Sequence, residues 1–375
     1  MATPNAPQGS GQEDVNANTT VAFLGPLNTY SHQATKIAFP DPKWKLEPTG
    51  TIKEVFDRVQ SGHAPYGVVP FENSTHGTVT FTLDNLADRG GEYADIVVCD
   101  EVYLDVHHFL LGRLPPTPSS SSSSSASPPP PSPPPPHLTA QHAVASGSEE
   151  KRGTPLADLS HIRRVYSHPQ AFGQTGAFVR RYLPHAETVE VSSTSRAAVL
   201  AAEDDTEGGM SAAIASEWAG RGVGLDVLAR WIEDREDNTT RFFVLRRRGD
   251  EKEGGGKGEG DGKGEGDGDG KGDGDAYGGG KYKSLVSFTV PHRRPGALVD
   301  VLDCFRRRSL NLTSISSVPS LVGPFQYLFF VEFEGSRFDD PEGRVGGVLE
   351  ELERVAEQWR WLGSWRNRRR EGGSL

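Results

Sequence analysis

Short runs of apolar residues recur along the first two thirds of the chain and alternate with segments of helical periodicity. The apolar runs, which we interpret as strands, cover residues 21–24, 67–71, 96–98, 164–166, 188–191, 212–215 and 242–245. Apolar residues recur at three- and four-residue spacing in 31–39, 51–61 and 170–182, which predicts helices. Strands that alternate with helices predict an α/β fold with a mostly parallel sheet.

The pattern changes after residue 282, where a strand, a helix, two strands, a helix and a strand follow one another. The predicted strands are 284–290, 311–317, 326–334 and 359–365, and the predicted helices are 297–308 and 341–358. This βαββαβ order is typical of a small ferredoxin-like unit. Its length of roughly 85 residues fits one compact domain.

Two low-complexity stretches interrupt these patterns. Residues 115–136 are Ser and Pro tracts, and residues 249–280 alternate Gly with Asp, Glu and Lys, so neither can bury enough apolar surface to fold. The predicted layout is a disordered tail at 1–19, an α/β domain at 20–248 with a disordered insertion at about 113–158, a flexible linker at 249–281, a C-terminal domain at 282–367 and a tail at 368–375.

Composition narrows the functional classes. The 375 residues carry a formal net charge of -11, which argues against a nucleic-acid surface, and we interpret the basic cluster at 366–370 as a solvated tail. The two cysteines, Cys99 and Cys304, lack zinc spacing, which indicates a reducing compartment and no metal site. The chain has no membrane-length apolar run, no targeting pattern and no glycine-rich nucleotide motif. We therefore expect a cytoplasmic protein that binds neither nucleic acid nor membrane.

Polar clusters stand at the ends of several predicted strands, where the ligand crevice of an α/β fold lies. The first, around Thr29 and Ser31, opens a helix, so it is either a helix cap or an anion site made of free N–H groups. In the second, Glu72 accompanies Asn73 and Ser74, and Thr80 and Thr82 follow. That excess of polar groups favours a site over a simple turn.

Two further clusters follow the strands at 164–166 and 188–191. Ser167 and Gln174 could face one crevice, because Gln170 and Gln174 share a helix face. We interpret His168, which stands between Ser and Pro, as an orienting residue rather than a general base. Ser193 and Thr194 are expected chiefly to cap a helix at 195–203, with substrate contact as a secondary role.

The most informative segment precedes the strand at 242–245, where Asn238, Thr240 and Arg241 bring a neutral hydroxyl donor next to a permanent cation. This combination suits a small anionic substrate that loses an oxygen leaving group. The sequence has no obvious metal centre or pair of carboxylates beside these groups. The site therefore does not look built for hydrolysis by an activated nucleophile.

The Glu-Asn-Ser, Ser-His-Pro-Gln and Thr-Arg-Phe motifs, in this order and spacing, resemble prephenate dehydratase over residues 21–245. The C-terminal domain resembles an ACT domain of the phenylalanine-sensing kind. The resemblance implies conversion of prephenate to phenylpyruvate in phenylalanine biosynthesis, without a cofactor. It also implies two α/β lobes similar to a type II periplasmic binding protein, with the substrate cleft between them.

The resemblance also implies roles for residues. Thr240 matches the essential threonine and Arg241 an anion-binding position that we expect to hold a carboxylate, while Asn73, Ser167 and Gln174 match residues of the cleft. With them, the expected substrate-binding residues are Thr29, Ser31, Ser74, Thr82, Ser193, Thr194, Asn238 and Phe242. The expected effector-binding residues are Gly296, Ala297, Leu298, Asn311, Leu312, Thr313 and Ser317.

One departure concerns regulation. The family usually has Glu-Ser-Arg-Pro where this chain has Ser316-Ser317-Val318-Pro319, so a charged pair is lost. We still expect feedback by L-phenylalanine, because effector binding should rest largely on backbone groups near 296–298. ACT units usually pair through their sheets, which implies a homodimer or homotetramer.

Two alternatives remain open. Arogenate dehydratase performs the same chemistry on the transaminated substrate, and the sequence does not separate the two. A non-catalytic amino-acid sensor could keep the same cleft, although it need not retain the intact Thr240-Arg241 pair.

Overall fold

The computed structural model describes residues 19–114, 152–204, 209–249 and 281–369. Most of the predicted N-terminal tail, insertion and linker, and the last six residues, lie outside these ranges. By packing, the chain forms two compact units. The first combines Met1–Val106 with Glu236–Leu375, and the second is His107–Arg235.

The elements are numbered in chain order. The strands are β1 Thr20–Leu24, β2 Lys45–Thr49, β3 Tyr66–Asn73, β4 Gly77–Thr78, β5 Ile96–Asp105, β6 Phe109–Gly112, β7 Arg164–Ser167, β8 Glu187–Glu190, β9 Ser211–Ala215, β10 Asp226–Ala229, β11 Thr239–Arg247, β12 Tyr282–Thr289, β13 Leu312–Pro319, β14 Tyr327–Glu334 and β15 Gln358–Arg366. The helices are α1 Tyr30–Ala38, α2 Ile52–Gln60, α3 Thr80–Ala87, α4 Pro169–Gln174, α5 Gly176–Tyr182, α6 Thr194–Ala202, α7 Glu217–Val223, α8 Ala297–Arg307 and α9 Arg344–Val355.

The first sheet has the strand order β2-β1-β3-β11-β5, with β4 paired to β3. Strands β2, β1 and β3 are parallel, whereas β11 runs antiparallel to both β3 and β5. Helix α2 shows how the local sequence builds this layer: Thr51 caps it by accepting from the Glu54 N–H at 3.1 Å, and an apolar stripe that includes Phe56 is buried. The sheet is mixed, so the prediction of a mostly parallel sheet was wrong.

The second unit contains a sheet of order β10-β6-β9-β7-β8, again mixed. Every residue of β9 is buried, as expected for a central strand. The predicted single helix at 170–182 is two helices, α4 and α5. Thr175 separates the two helices. Its hydroxyl donates to the Ala171 carbonyl at 2.8 Å, and its backbone dihedral angles are not helical.

The C-terminal domain (residues 281–369) has the βαββαβ order that the sequence predicts, and its antiparallel sheet has the order β13-β14-β12-β15. Helices α8 and α9 supply apolar side chains to a core with the sheet. A second core joins Leu285, Phe330 and Trp365 of this domain to Phe71 and Phe243 of the first sheet. The C-terminal domain therefore packs in one unit with the first sheet.

Near the end of the described chain, Arg368 is hydrogen-bonded to strand β5 of the first sheet. The backbone N–H of Arg368 donates to Glu101 at 2.9 Å, and its guanidinium bonds both oxygens of Asp100. Arg368 is exposed to solvent, as the sequence predicts, but it is also paired with β5 rather than free of the fold. Across the ranges that the structure describes, no helix combines the length and apolarity needed to cross a membrane.

Candidate active site

The core of the site is the contact between Asn73 and Thr240. Because β11 runs antiparallel to β3, its first residues lie beside the last residues of β3, and Thr240 pairs with Asn73. The Asn73 amide Nδ2 donates to Thr240 Oγ1 at 2.9 Å and to Asn238 Oδ1 at 2.8 Å. Three of the sequence-predicted site residues thus meet at one edge of the first sheet.

Asn73 is held by the turn that follows it. Its Oδ1 accepts from the Thr75 N–H at 3.1 Å, the Thr75 hydroxyl at 2.7 Å and the His76 N–H at 3.1 Å. These bonds form an Asx turn, in which the side chain takes the place of a backbone carbonyl. With its oxygen fully engaged, the amide must turn its Nδ2 towards Thr240 and Asn238.

Ser74 ties this turn to the segment before β11. Its hydroxyl donates to the Asp237 carbonyl at 2.7 Å and accepts from the Thr239 N–H at 3.0 Å. The Val106 N–H donates to the Asn238 carbonyl at 2.7 Å. The Ser74 hydroxyl therefore has a structural role, which fixes the backbone on both sides of Asn238.

Two donors at this edge remain available. Thr240 Oγ1 accepts from Asn73, and among the described residues no group accepts its hydroxyl hydrogen. The side chain of Asn238 is 2% exposed, and its Nδ2 has no hydrogen-bond partner within the described ranges. Buried donors are nearly always bonded in folded proteins, so an unbonded one beside a half-buried hydroxyl indicates a ligand position.

The Thr29 cluster forms the start of α1. The Thr29 side chain accepts from the His32 N–H at 3.2 Å, so it caps the helix as one of the two interpretations expected. Ser31 is buried, and its carbonyl accepts from Thr35. His32 is stacked on Phe23, and burial lowers its pKa to about 4, so the ring is neutral at pH 7.

Arg241 contradicts its predicted role. Successive residues of a strand point to opposite faces, so its side chain leaves the sheet away from Thr240. It is 5% exposed and bonds Glu101, through Nε at 2.8 Å, and Glu332 of the C-terminal domain. Burial would lower its pKa, but Glu332 and Glu101 outweigh burial and raise it. The guanidinium neutralises internal carboxylates and is not free to anchor a substrate.

Three more predicted contacts are wrong because the side chains serve the interior. Thr82 and Ser167 are each 0% exposed, and their hydroxyls donate to the carbonyls of Pro70 at 2.6 Å and Ile214 at 2.7 Å. Phe242 is 1% exposed and belongs to the apolar core beneath α1. The hydroxyls of Thr82 and Ser167 bond buried backbone carbonyls, and polar composition alone cannot distinguish this role from a binding site.

The second unit holds the remaining predicted residues. Gln174 Oε1 lies 2.7 Å from His108 Nε2, and burial lowers the pKa of His108, so that its ring is neutral and donates this bond. Ser193 caps α6 by accepting from the Arg196 N–H at 3.0 Å, as expected, whereas Thr194 is the first residue of the helix rather than part of its cap. His168 caps α4 by accepting from the Gln170 N–H, which agrees with an orienting role.

The sequence did not reveal the ion cluster beside Gln174 and His108. Glu233 is buried and pairs with His107 at 2.9 Å and Arg152 at 3.1 Å, and its Oε2 accepts from the His108 N–H. Burial acts to raise the pKa of Glu233, but the bonds from His107 and the His108 backbone lower it. The adjacent histidines were the one available signal, and they carry no motif.

The C-terminal domain has a cavity of about 420 Å³ at the start of α8. Gly296, Ala297 and Leu298 line it, together with Val322 and Tyr327. Gly296 caps the helix at a φ of 82°, which favours glycine. The other predicted effector residues, Asn311, Leu312, Thr313 and Ser317, are not among its lining residues; Asn311 immediately precedes β13, and the other three lie in it.

Comparisons with known proteins give a consistent result. A family model described as prephenate dehydratase matches residues 21–121 and 138–250. The bifunctional chorismate mutase/prephenate dehydratase of Neisseria gonorrhoeae is 31% identical over 346 residues, which are 92% of this chain and 74% of that protein. The prephenate dehydratase of Methanocaldococcus jannaschii is 28% identical over 341 residues, 90% of this chain and 94% of that protein.

A solved structure agrees. The crystal structure of prephenate dehydratase from Arthrobacter aurescens in complex with L-Phe is 27% identical, with a TM-score of 0.66 over 93% of this chain and 90% of that one. The family model covers more than half of the chain, and the resemblance carried by the three motifs is confirmed. The chain belongs to the prephenate dehydratase family.

Proposed function

We propose that the chain is a lyase that converts prephenate to phenylpyruvate, carbon dioxide and water. The carboxylate on the ring leaves as carbon dioxide, and the electron pair of the broken C–C bond enters the ring and expels the ring hydroxyl. That oxygen takes up a proton and departs as water, while the ring becomes aromatic. The observation that carries the proposal is the Thr240 hydroxyl, which accepts from Asn73 and keeps its hydrogen available.

The geometry suits the departing oxygen. Asn73 donates to Thr240 Oγ1, so the hydroxyl hydrogen must point elsewhere, and a donor oriented before the reaction stabilises developing negative charge without reorganisation. A threonine hydroxyl is a weak acid, so we assign it to polarising the leaving group or relaying a proton rather than donating one outright. The free Nδ2 of Asn238 is a second neutral donor at the same edge.

Carboxylate binding must be reassigned, because Arg241 is engaged internally. We propose that neutral donors take this role, and that Asn238 Nδ2, which is buried and unbonded among the described residues, is one of them. Gln174, Ser193 and Thr194 of the second unit remain proposed substrate contacts. Aromatisation supplies much of the driving force, so the protein mainly has to hold and orient the dianion.

The direct test is to incubate the purified full chain with prephenate and follow phenylpyruvate by its absorbance. Arogenate, offered in parallel, should be turned over more slowly. A faster rate on arogenate would identify an arogenate dehydratase instead. Absence of turnover on both substrates, with amino-acid binding retained, would identify a non-catalytic sensor.

We further propose that the two α/β sheets are the lobes of a fold similar to type II periplasmic binding proteins, and that the C-terminal domain is an ACT domain. The chain passes between the two units twice, near residues 106 and 236, and the C-terminal domain has the βαββαβ order. β13 is an edge strand of its sheet, which is compatible with pairing into a homodimer or homotetramer. Light scattering on the purified chain tests the oligomeric state.

We infer that the cavity at α8 binds L-phenylalanine, which the related Arthrobacter aurescens protein binds. Val322 lines this cavity and is 79% exposed, whereas its neighbour Leu321, 72% exposed, does not line it. Val322→Asp should therefore weaken L-phenylalanine binding about tenfold or more in calorimetry, by repelling its carboxylate and removing apolar contact. Leu321→Asp is the matched control and should bind normally. No heat of binding with the unaltered chain would contradict the inference.

A further inference from the structure

Four buried charges join the strand that carries Thr240 to the C-terminal domain. They are Arg241 on β11, Glu101 on β5, Lys283 on β12 and Glu332 on β14, and each is at most 5% exposed. Arg241 contacts both carboxylates, and Lys283 lies 3.4 Å from Glu101 and 3.5 Å from Glu332. Two positive and two negative charges balance, so the group tolerates burial only while all four keep their places.

Arg241 connects this group to the site edge. It is the covalent neighbour of Thr240, and its guanidinium holds Glu101 and Glu332 at the same time. The register between β11 and β3 shifts between Arg241 and Phe242, which is where a strand can re-aim its side chains. A displacement of the Arg241 side chain would therefore act on the β11 backbone beside Thr240.

Glu332 is the member of the group that also bonds the edge strand β13, which lies next to β14 in the C-terminal sheet. One of its oxygens bonds Arg241, and the other accepts from the Thr313 hydroxyl on the edge strand β13 at 2.5 Å. Contacts thus run without a gap from Thr313 through Glu332 and Arg241 to Thr240. Such a contiguous network is the physical requirement for coupling, and its energetics can be measured.

We propose that Glu332 is a positioning residue for Thr240: by holding Arg241, it sets the place from which the Thr240 hydroxyl reaches the leaving oxygen. This rests on the proposed role of Thr240. Glu332 touches no reacting atom, so its removal should lower kcat more than it changes KM.

The test is Glu332→Gln in the full chain, which keeps the side-chain shape and removes the charge. We expect kcat on prephenate to fall about tenfold with KM changed less than about threefold, the scale of a small displacement at a reacting centre. In a Thr240→Val background the same substitution should leave kcat within about twofold, because the group that it positions is gone.

The matched control is Asp88→Asn. The side chain of Asp88 is 7% exposed and pairs with Arg360 of the C-terminal domain at 3.3 Å, and Asp88 has no bond to β11 in the described residues. Its loss should lower thermal stability and leave kcat within about twofold. An unchanged kcat in folded Glu332→Gln, or an equal fold-loss in both Thr240 backgrounds, overturns the proposal.

A second variant covers the case in which Glu332→Gln does not fold. Arg241→Lys keeps the positive charge, but an ammonium group cannot bond both carboxylates as the forked guanidinium does. Its effect on kcat is then compared between the chain with Thr240 and the chain with Thr240→Val, as for Glu332→Gln. The outcomes separate the two proposals: no phenylpyruvate from the unaltered chain overturns the proposed function. An active unaltered chain that loses rate with Thr240→Val but not with Glu332→Gln overturns only the positioning role.

Discussion

Thr240→Val is expected to lower kcat on prephenate by about 10²-fold or more while the protein folds normally, which is the scale of a lost acid or oxyanion donor. Valine fills the same volume and suits a strand, so the backbone of β11 should stay in place. What is lost is the hydroxyl that accepts from Asn73 and whose hydrogen has no acceptor among the described residues. KM should change little, because the interaction develops with the charge on the leaving oxygen.

Thr239→Val provides the matched control. Thr239 precedes Thr240 on β11, and its hydroxyl donates to Asp105 at 2.8 Å. Its kcat should stay within about twofold of the unaltered chain, because that hydroxyl is directed away from Asn73. Steady-state kinetics with purified proteins, alongside circular dichroism, measure both variants. A Thr240→Val protein that turns over prephenate at the normal rate would remove the role assigned to this hydroxyl.

Gly363→Ala should cause the largest loss of stability, about 3 kcal/mol or more. Gly363 lies on β15 with a φ of 135°, where an L side chain is strained, and a Cβ built there would stand 2.0 Å from the Val98 carbonyl oxygen. Val98 belongs to β5, so the clash falls where the C-terminal sheet packs on the first sheet. The clash cannot be relieved easily, because the atoms that the added Cβ meets are backbone atoms of β5 and Gly363 is itself held in β15.

Thermal unfolding measures this effect, and a fall in Tm of roughly 5 to 10 °C is expected. Gly346→Ala is the control within the same domain. It lies in α9, and its added Cβ would meet only Asp340 Oδ2 at an ordinary 3.7 Å, so alanine should be neutral or stabilise by up to about 1 kcal/mol. Equal Tm values for the two variants would show that the two sheets are not packed as described.

Much of the local structure followed from periodicity. The apolar run at 242–245 lies inside β11, which begins three residues earlier because Thr239, Thr240 and Arg241 pair with β5. Polar residues at a strand start carry no alternation signal, so the predicted strand was too short. The direction of β11 was also missed. A strand that arrives after a long excursion can join a sheet either way, and here it is antiparallel to both neighbours.

The local pattern also predicted the site only in part. Asn73 and Thr240 stand out as polar residues beside apolar runs, and the antiparallel register brings them together. Thr82 and Ser167 have the same local appearance, yet their hydroxyls bond buried carbonyls. Whether a hydroxyl faces substrate or a backbone acceptor depends on which chain segment lies across from it.

The amino-acid sequence by itself determined the family, the two strand-and-helix regions and the adjacency of a hydroxyl to a cation at Thr240 and Arg241. Strand alternation also requires these two side chains to leave the sheet on opposite faces. Only the tertiary structure decided what Arg241 meets there, since Glu101 and Glu332 are far from it in the chain. Ion pairing and burial depend on distance through space, which the local sequence pattern does not encode. For this reason Arg241, predicted to bind a substrate carboxylate, instead binds the buried carboxylates of Glu101 and Glu332.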